Sequence, residues 1–258
     1  MTSARKLPPS SAERARAFVA GRLPPVEPRP ASTVVLVRDA HAGLEVYVQQ
    51  RVHGMAFAGG MVAFPGGSVD AADTAGHRDI DAATWARRLG TGEDAARGFV
   101  GAALRETREE TGVALQPDDL VPWAHWITPR FERRRFDTWF FAAELPRGQE
   151  PQDVSGEAEA AMWVTAHEAL RRADAGEWDM LPPTRVVLEE LAGLSSATDI
   201  HATQREIAAV MPGWLDDGDA VIALLPDDPR YPGDDHAATT HHPMIMNDPR
   251  PESGGNRS

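Results

Sequence analysis

The chain has 258 residues, 42% of them hydrophobic, enough for one domain of ordinary size with extensions or for two small ones. Its formal net charge of −13 argues against non-specific binding to nucleic acid or anionic membranes, and the lack of cysteine excludes disulfides and thiolate metal sites. A small anionic substrate stays open, because a bound divalent cation reverses the local field.

Met1 to Pro9 is basic but contains no apolar stretch, so a secretory signal is not expected. No segment approaches the roughly 18–20 apolar residues that span a bilayer, and a soluble cytoplasmic protein is the expectation. Lys6 is the sole lysine, so phosphate binding would rest on arginine forks. Residues 1–30 hold six prolines and a short helical pattern around Ala12 to Ala20, and read as an N-terminal arm.

Thr33 to Val37 and Glu45 to Gln49 are β-rich runs joined by a hairpin over Asp39 to Gly43. Gly54 to Gly60 reads as a loop, and Met61 to Phe64 as a short strand that ends at Pro65-Gly66-Gly67. Residues 70–93 are polar and alanine-rich, with a short helix around Thr84 to Leu89. A strong helical pattern follows from Asp94 to Thr111, with Gly112 as its stop.

Phe136 to Leu145 and Ala161 to Thr165 read as strands, and His167 to Ala175 and Pro183 to Leu194 as helices. An amphipathic segment runs from Ala197 to Val210, and past about Leu225 the composition suggests a loose tail. The mixture of strands and helices indicates an α/β domain over residues 31–195. A helical extension is expected over 196–225 and a flexible tail over 226–258.

The helix from Asp94 to Thr111 concentrates the chemistry. At about 100° per residue, Ala96, Phe99, Val100, Ala103 and Thr107 form one buried arc. Glu110 falls about 40° from Glu106 and Glu109 about 60° to its other side, so the three glutamates sit on the shoulder of that arc. Arg105 and Arg108 point outward in the same projection. A solvated charged face is the ordinary reading of a glutamate-rich helix. Yet like charges at i,i+3 and i,i+4 repel, and placing them beside apolar residues adds desolvation. A hard divalent cation with oxygen ligands would relieve the cluster.

The stretch Arg105-Glu106-Thr107-Arg108-Glu109-Glu110-Thr111-Gly112-Val113 resembles the second half of the Nudix box, and Phe64-Pro65-Gly66-Gly67 resembles its first half. The resemblance implies a Nudix α/β/α sandwich with a mixed central sheet, followed here by the helical C-terminal extension. It also implies Mg²⁺ or Mn²⁺ as cofactor. The metal would be held by Glu106, Glu109 and Glu110 and by the carbonyl of Gly66, with Glu109 as ligand or base and Arg105 in the catalytic set.

Gly67 and Arg105 are 38 positions apart, against 14 in the plain box, so about 24 residues are inserted around 70–93. Eight positions before Arg105 stands Arg97 where the box carries glutamate. Asp73, six after Gly67, fits the upstream count instead, and Thr107 replaces an aliphatic residue. An interrupted box, with Ile127-Thr128-Pro129 and Arg134-Arg135-Phe136-Asp137-Thr138, is similar to the Nudix motif 19-type branch that includes coenzyme A diphosphatases. Gly60 placed before Phe64-Pro65-Gly66-Gly67, and Arg51 before it, resemble a coenzyme A-directed motif, although no arginine lies between Val52 and Gly60.

Arg134 and Arg135 precede a strand and suit a pyrophosphate clamp, with Arg51 and Gly67 as further substrate contacts. The bland reading is loop charge paired with Asp137. Glu157, six residues before Trp163, takes the place of a loop glutamate that binds metal or acts as base in many Nudix proteins, with Glu159 as its rival. Trp123, Trp126 and Trp139 are read as core or interface residues before base-stacking platforms, and His236 with His241-His242 as a weak metal tract.

The function implied is hydrolysis of the pyrophosphate in a nucleoside diphosphate linked to another moiety, coenzyme A or its thioesters among them. The insertion is expected to act as a lid or wall over the substrate. ADP-ribose or a dinucleotide is the alternative substrate, and a non-catalytic ligand sensor the alternative of another class. A small molecule, and neither nucleic acid nor membrane, is the expected partner; the resemblance also admits a homodimer.

Overall fold

The computed structural model describes residues 4–54, 58–77, 79–156, 158–203, 205–232 and 239–240. In chain order these form β1 (Ala4–Lys6), α1 (Pro9–Val19), β2 (Arg29–Ala40), β3 (Gly43–Arg51), β4 (Val62–Ala63) and β5 (Gly66–Ser68). There follow α2 (Ala71–Gly76), α3 (Ala82–Leu89), α4 (Glu93–Thr111), β6 (Val121–Ile127), β7 (Phe136–Glu144), β8 (Ala158–Thr165), α5 (Ala166–Asp174) and α6 (Pro182–Leu191). The last elements are α7 (Asp199–Ala202), β9 (Ala209–Val210), β10 (Gly213–Asp216), β11 (Val221–Leu224) and β12 (Thr239–Thr240).

The apolar run in β2 makes it a central strand, buried on both faces. Val34 and Leu36 join the core under α3 and α4, while Val35 and Val37 join the core under α5 and α6. β2 runs parallel to β7 and antiparallel to β3, giving a mixed sheet in the order β4-β3-β2-β7-β6-β9, with β8 added on β3. The expected α/β/α sandwich is thus observed. β5 pairs with β2 while β4 pairs with β3, so the link through Phe64 and Pro65 is wedged where the two central strands part. That wedge carries the glycine pair.

Three expectations are corrected. The insertion is not a cover over the glutamates: Ile80, Ala82, Trp85 and Leu89 are buried in the core that α4 shares with the sheet. Trp85 meets Phe141 edge-on, ring centroids 6.0 Å apart, and the Arg88 guanidinium lies over the Trp85 ring at 4.0 Å. The segment is pulled inward by the apolar area of these side chains, which is worth several kcal/mol.

Secondly, residues 196–225 hold one four-residue helix, α7, and are otherwise mainly strand and loop. The third correction concerns the arm, which belongs with this C-terminal stretch. β1 pairs with β11, β11 pairs with β10, and Phe18, Phe131 and Trp214 pack together in a third core. The arm therefore closes a small sheet that residues 196–225 begin. β6, which had no sequence signal beyond its tryptophans, carries a proline as its second residue beside a bulge, where a missing N–H is tolerated.

Candidate active site

The glycine turn is shaped by close approach. A Cβ on Gly66 would fall 2.3 Å from the Ser32 carbonyl oxygen, and a Cβ on Gly67 would fall 2.3 Å from Oε1 of Glu106. Only glycine lets the strand and the carboxylate share this space. The turn is tied down because the Val34 N–H donates to the Pro65 carbonyl at 2.9 Å.

α4 supplies the acids. Its buried side includes Ala96, Phe99, Val100, Ala103 and Thr107, as the helical projection predicts, and Gly112 ends it in the left-handed conformation at φ 74°. Thr107 is accommodated at an apolar position because its hydroxyl donates to the Ala103 carbonyl at 2.7 Å. Glu110 is buried and accepts the Gly66 N–H at 3.2 Å. Glu106 is half-buried against Gly67. Burial raises its pKa despite the opposing pull of Arg105. Glu109 is the most exposed of the three, its side chain 59% accessible.

Arg105 does not point outward as the projection suggests. Its long side chain folds back along α4, and its guanidinium grips Asp73 through Nε at 2.8 Å and through a second nitrogen at 2.9 Å. It also donates to the Ser68 carbonyl, to Glu106 at 2.8 Å and to Glu109 at 3.0 Å. Asp73, 1% exposed, is the acid that answers the upstream count of the box. It also accepts the Asp70 N–H at 2.7 Å, capping α2. α2 lies tightly on α4 because Gly98 and Gly101 leave room for it.

The loop before β8 is fixed to the end of α4, since the Gln152 and Val154 N–H groups donate to the Thr111 and Glu110 carbonyls. Glu157, expected there, lies outside the described residues, as do His236, His241 and His242. Glu159 is committed to His53, with ring nitrogen to carboxylate 3.0 Å. Arg51 ends β3, half-buried, beside the β4 wedge.

Arg134 is exposed ahead of β7. Arg135 is not part of this site. Its guanidinium is buried and donates to the carbonyls of Thr128 at 2.9 Å and Val26 at 2.6 Å. Burial depresses its pKa, and those backbone acceptors use the fork that a phosphate would need. Asp137 pairs with His125 instead of with an arginine. Trp123, Trp126 and Trp139 are all buried, so they are core residues.

The donor set suits a hard cation: three carboxylates and a glycine turn on adjoining elements. Among the described residues no three acidic or histidine side chains already converge on one point. Arg105 holds one oxygen each of Glu106 and Glu109, and their second oxygens carry no hydrogen bond among the described residues. The residues fit a divalent ion by chemistry, with the exposed Glu109 the side chain best able to swing. Sequence reasoning missed Tyr47 and Gln49 on β3, two polar residues at inward positions; strict alternation along the strand is the signal that would have found them.

The family model for the NUDIX domain matches residues 27–183. Acyl-coenzyme A diphosphatase NUDT19 of Gallus gallus is 33% identical over 125 residues, covering 45% of this chain and 33% of that protein. Phosphatase NudJ of Escherichia coli (strain K12) is 33% identical over 76 residues, 30% of this chain and 48% of that protein. The chain thus spans between a third and a half of the length of these curated relatives. A solved NUDIX hydrolase structure from Alicyclobacillus acidocaldarius is 28% identical with a TM-score of 0.57, covering 69% of this chain and 97% of that one.

Proposed function

The chain belongs to the Nudix family, and on that premise we propose that it is a divalent-metal-dependent hydrolase of the pyrophosphate bond in a nucleoside diphosphate linked to another moiety. The observation that carries this is the joint seating of Glu106 on Gly67 and Glu110 on the Gly66 N–H. Two remote stretches of chain thereby present hard oxygen donors in one place. Glu106, Glu109, Glu110 and the Gly66 carbonyl would hold Mg²⁺ or Mn²⁺. Such an ion supplies charge neutralisation at the phosphate oxygens and a water that ionises more readily.

The remaining work falls to the protein's own groups. Glu109, exposed and hydrogen-bonded to Arg105, would take a proton from the attacking water, and Glu157 is its proposed rival for that role. Arg105 orients Glu106 and Glu109 while neutralising part of their charge. Arg51, Arg134 and Gly67 are proposed as phosphate contacts. The catalytic domain is proposed as residues 31–195, the protein as cytoplasmic, and a homodimer as its assembly.

Coenzyme A or its thioesters is the first substrate choice. Similarity to the acyl-coenzyme A diphosphatase of Gallus gallus and the Gly60-to-Gly67 stretch support it. Cleavage would release a phosphopantetheine fragment and an adenosine bisphosphate. The purified protein should be assayed with Mg²⁺ or Mn²⁺ on coenzyme A, ADP-ribose, NADH and diadenosine polyphosphates. Turnover abolished by a chelator, and lowered about 100-fold in Glu110→Gln, is the expected result. Absence of turnover with either metal would instead favour a ligand sensor.

A further inference from the structure

β3 alternates between the two cores. Val46 and Val48 pack under α5 and α6, so Tyr47 and Gln49 face the α4 side of the sheet. Both are more than nine-tenths buried, at 3% and 4% exposure. The Tyr47 hydroxyl and the Gln49 Nε2 have no hydrogen-bond partner among the described residues. Buried donors left unmet lower stability, and a pair of them side by side asks for a reason other than folding.

Their surroundings supply one. Gln49 stands opposite Ala63, three residues before Gly66 in the glycine turn. On its other side β8 places Ala161 opposite Gln49 and Trp163 opposite Tyr47. Tyr47 and Trp163 meet edge-on, centroids 5.4 Å apart. Burial, and then the fields of Asp153, Glu110 and Glu150, push the Tyr47 pKa up to about 12. The hydroxyl thus remains a donor and lies within the electrostatic reach of an α4 glutamate. Two uncharged donors supply no positive charge to hold a phosphate. They suit an uncharged group bearing hydrogen-bond acceptors.

We propose that Tyr47 and Gln49 form the floor that binds the uncharged part of the substrate next to its diphosphate, by donating hydrogen bonds to carbonyl or ring-nitrogen acceptors. This rests on the pyrophosphohydrolase reading above and adds specificity-determining residues to it. Such acceptors come from a nucleobase or from an amide-bearing chain, so two probes separate the sources.

Binding of AMP, of 4′-phosphopantetheine and of inorganic pyrophosphate is measured by calorimetry with Mg²⁺ present, on wild type, Tyr47→Phe and Gln49→Leu. The expected result is at least a fivefold loss of affinity for AMP or for 4′-phosphopantetheine, whichever carries the recognised acceptors. Pyrophosphate binding stays within twofold, and the melting temperature of Tyr47→Phe is equal to or above that of wild type. A matching rise in KM, with kcat little changed, is expected for whichever substrate the enzyme turns over.

The proposal is overturned if wild type binds neither organic probe. It is also overturned if both variants bind them as wild type does, if pyrophosphate loses affinity equally, or if Tyr47→Phe is less stable. Probe binding that depends on Tyr47 in a protein without turnover would sink the enzyme reading alone. Turnover with binding indifferent to both substitutions would sink the floor alone.

Discussion

Arg105 joins more of the site than any other side chain. It fastens Asp73, Ser68, Glu106 and Glu109 in one cluster, and among the described residues no other cation pairs with the buried Asp73. Replacing Arg105 by alanine leaves that carboxylate buried and unpaired. A loss of about 3 kcal/mol in urea unfolding is expected, together with loss of activity. Gly67→Ala tests the opposite regime. The new Cβ meets the end of a side chain, which can move, so stability changes by less than about 1 kcal/mol while Glu106 is displaced. Mn²⁺ affinity, measured by titration calorimetry, should fall at least tenfold. Tyr47 gives a spectroscopic check. The chain has two tyrosines, and absorbance titration in chelator should show one phenolate forming only near pH 12. Because the folded pKa lies above the unfolded one, stability from the neutral phenol is present below about pH 10 and is lost as pH rises towards 12. Tyr47→Phe should remove that alkaline loss.

α4 shows how an element can be legible on one side and opaque on another. Its limits, its buried arc and the placement of Glu110 follow from spacing alone, because helical geometry is local. What rests on the outer half of the helix does not follow. Gly98 and Gly101 read as weak points in a helix, but a Cβ on Gly101 would lie 2.6 Å from the Asp73 carbonyl oxygen. Gly101→Ala should therefore destabilise the protein by about 1–3 kcal/mol in urea unfolding, although alanine is the better helix former. The inserted residues join the core through apolar side chains of their own. Trp85 and Leu89 find apolar partners on α4 and β7, a pairing of segments that periodicity within either one does not reveal. β6 was missed for a similar reason. Its tryptophans are held inward by neighbouring strands and by the bulge near Pro122, which blur the two-residue period.

For the whole molecule, the two ends of the described chain form one structural unit. Arg16 pairs with Asp216 at 2.7 Å, Arg14 with Glu132 at 2.7 Å, and Trp214 is fully buried between Phe18 and Phe131. Arg135 adds a link from the Thr128 carbonyl to the Val26 carbonyl and the Met211 sulfur. Deleting residues 1–24 uncovers Trp214 and removes a strand from its sheet. A loss of about 3–5 kcal/mol and a melting temperature lower by roughly 10 °C are expected by calorimetry. None of the described helices is long and apolar enough to cross a membrane.

The sequence by itself determined the family, the central α/β domain, the acid-bearing helix and the glycine turn. These depend on residue types at fixed short spacings, which backbone geometry turns directly into direction and reach. Tertiary structure alone decided the partner of Arg105, the burial of the insertion, the retirement of Arg135 from phosphate binding and the burial of Tyr47 and Gln49 on the α4 side of the sheet. Each depends on which distant segment fills the space beside a side chain. That choice is made by packing the whole core at once, and no local period records it.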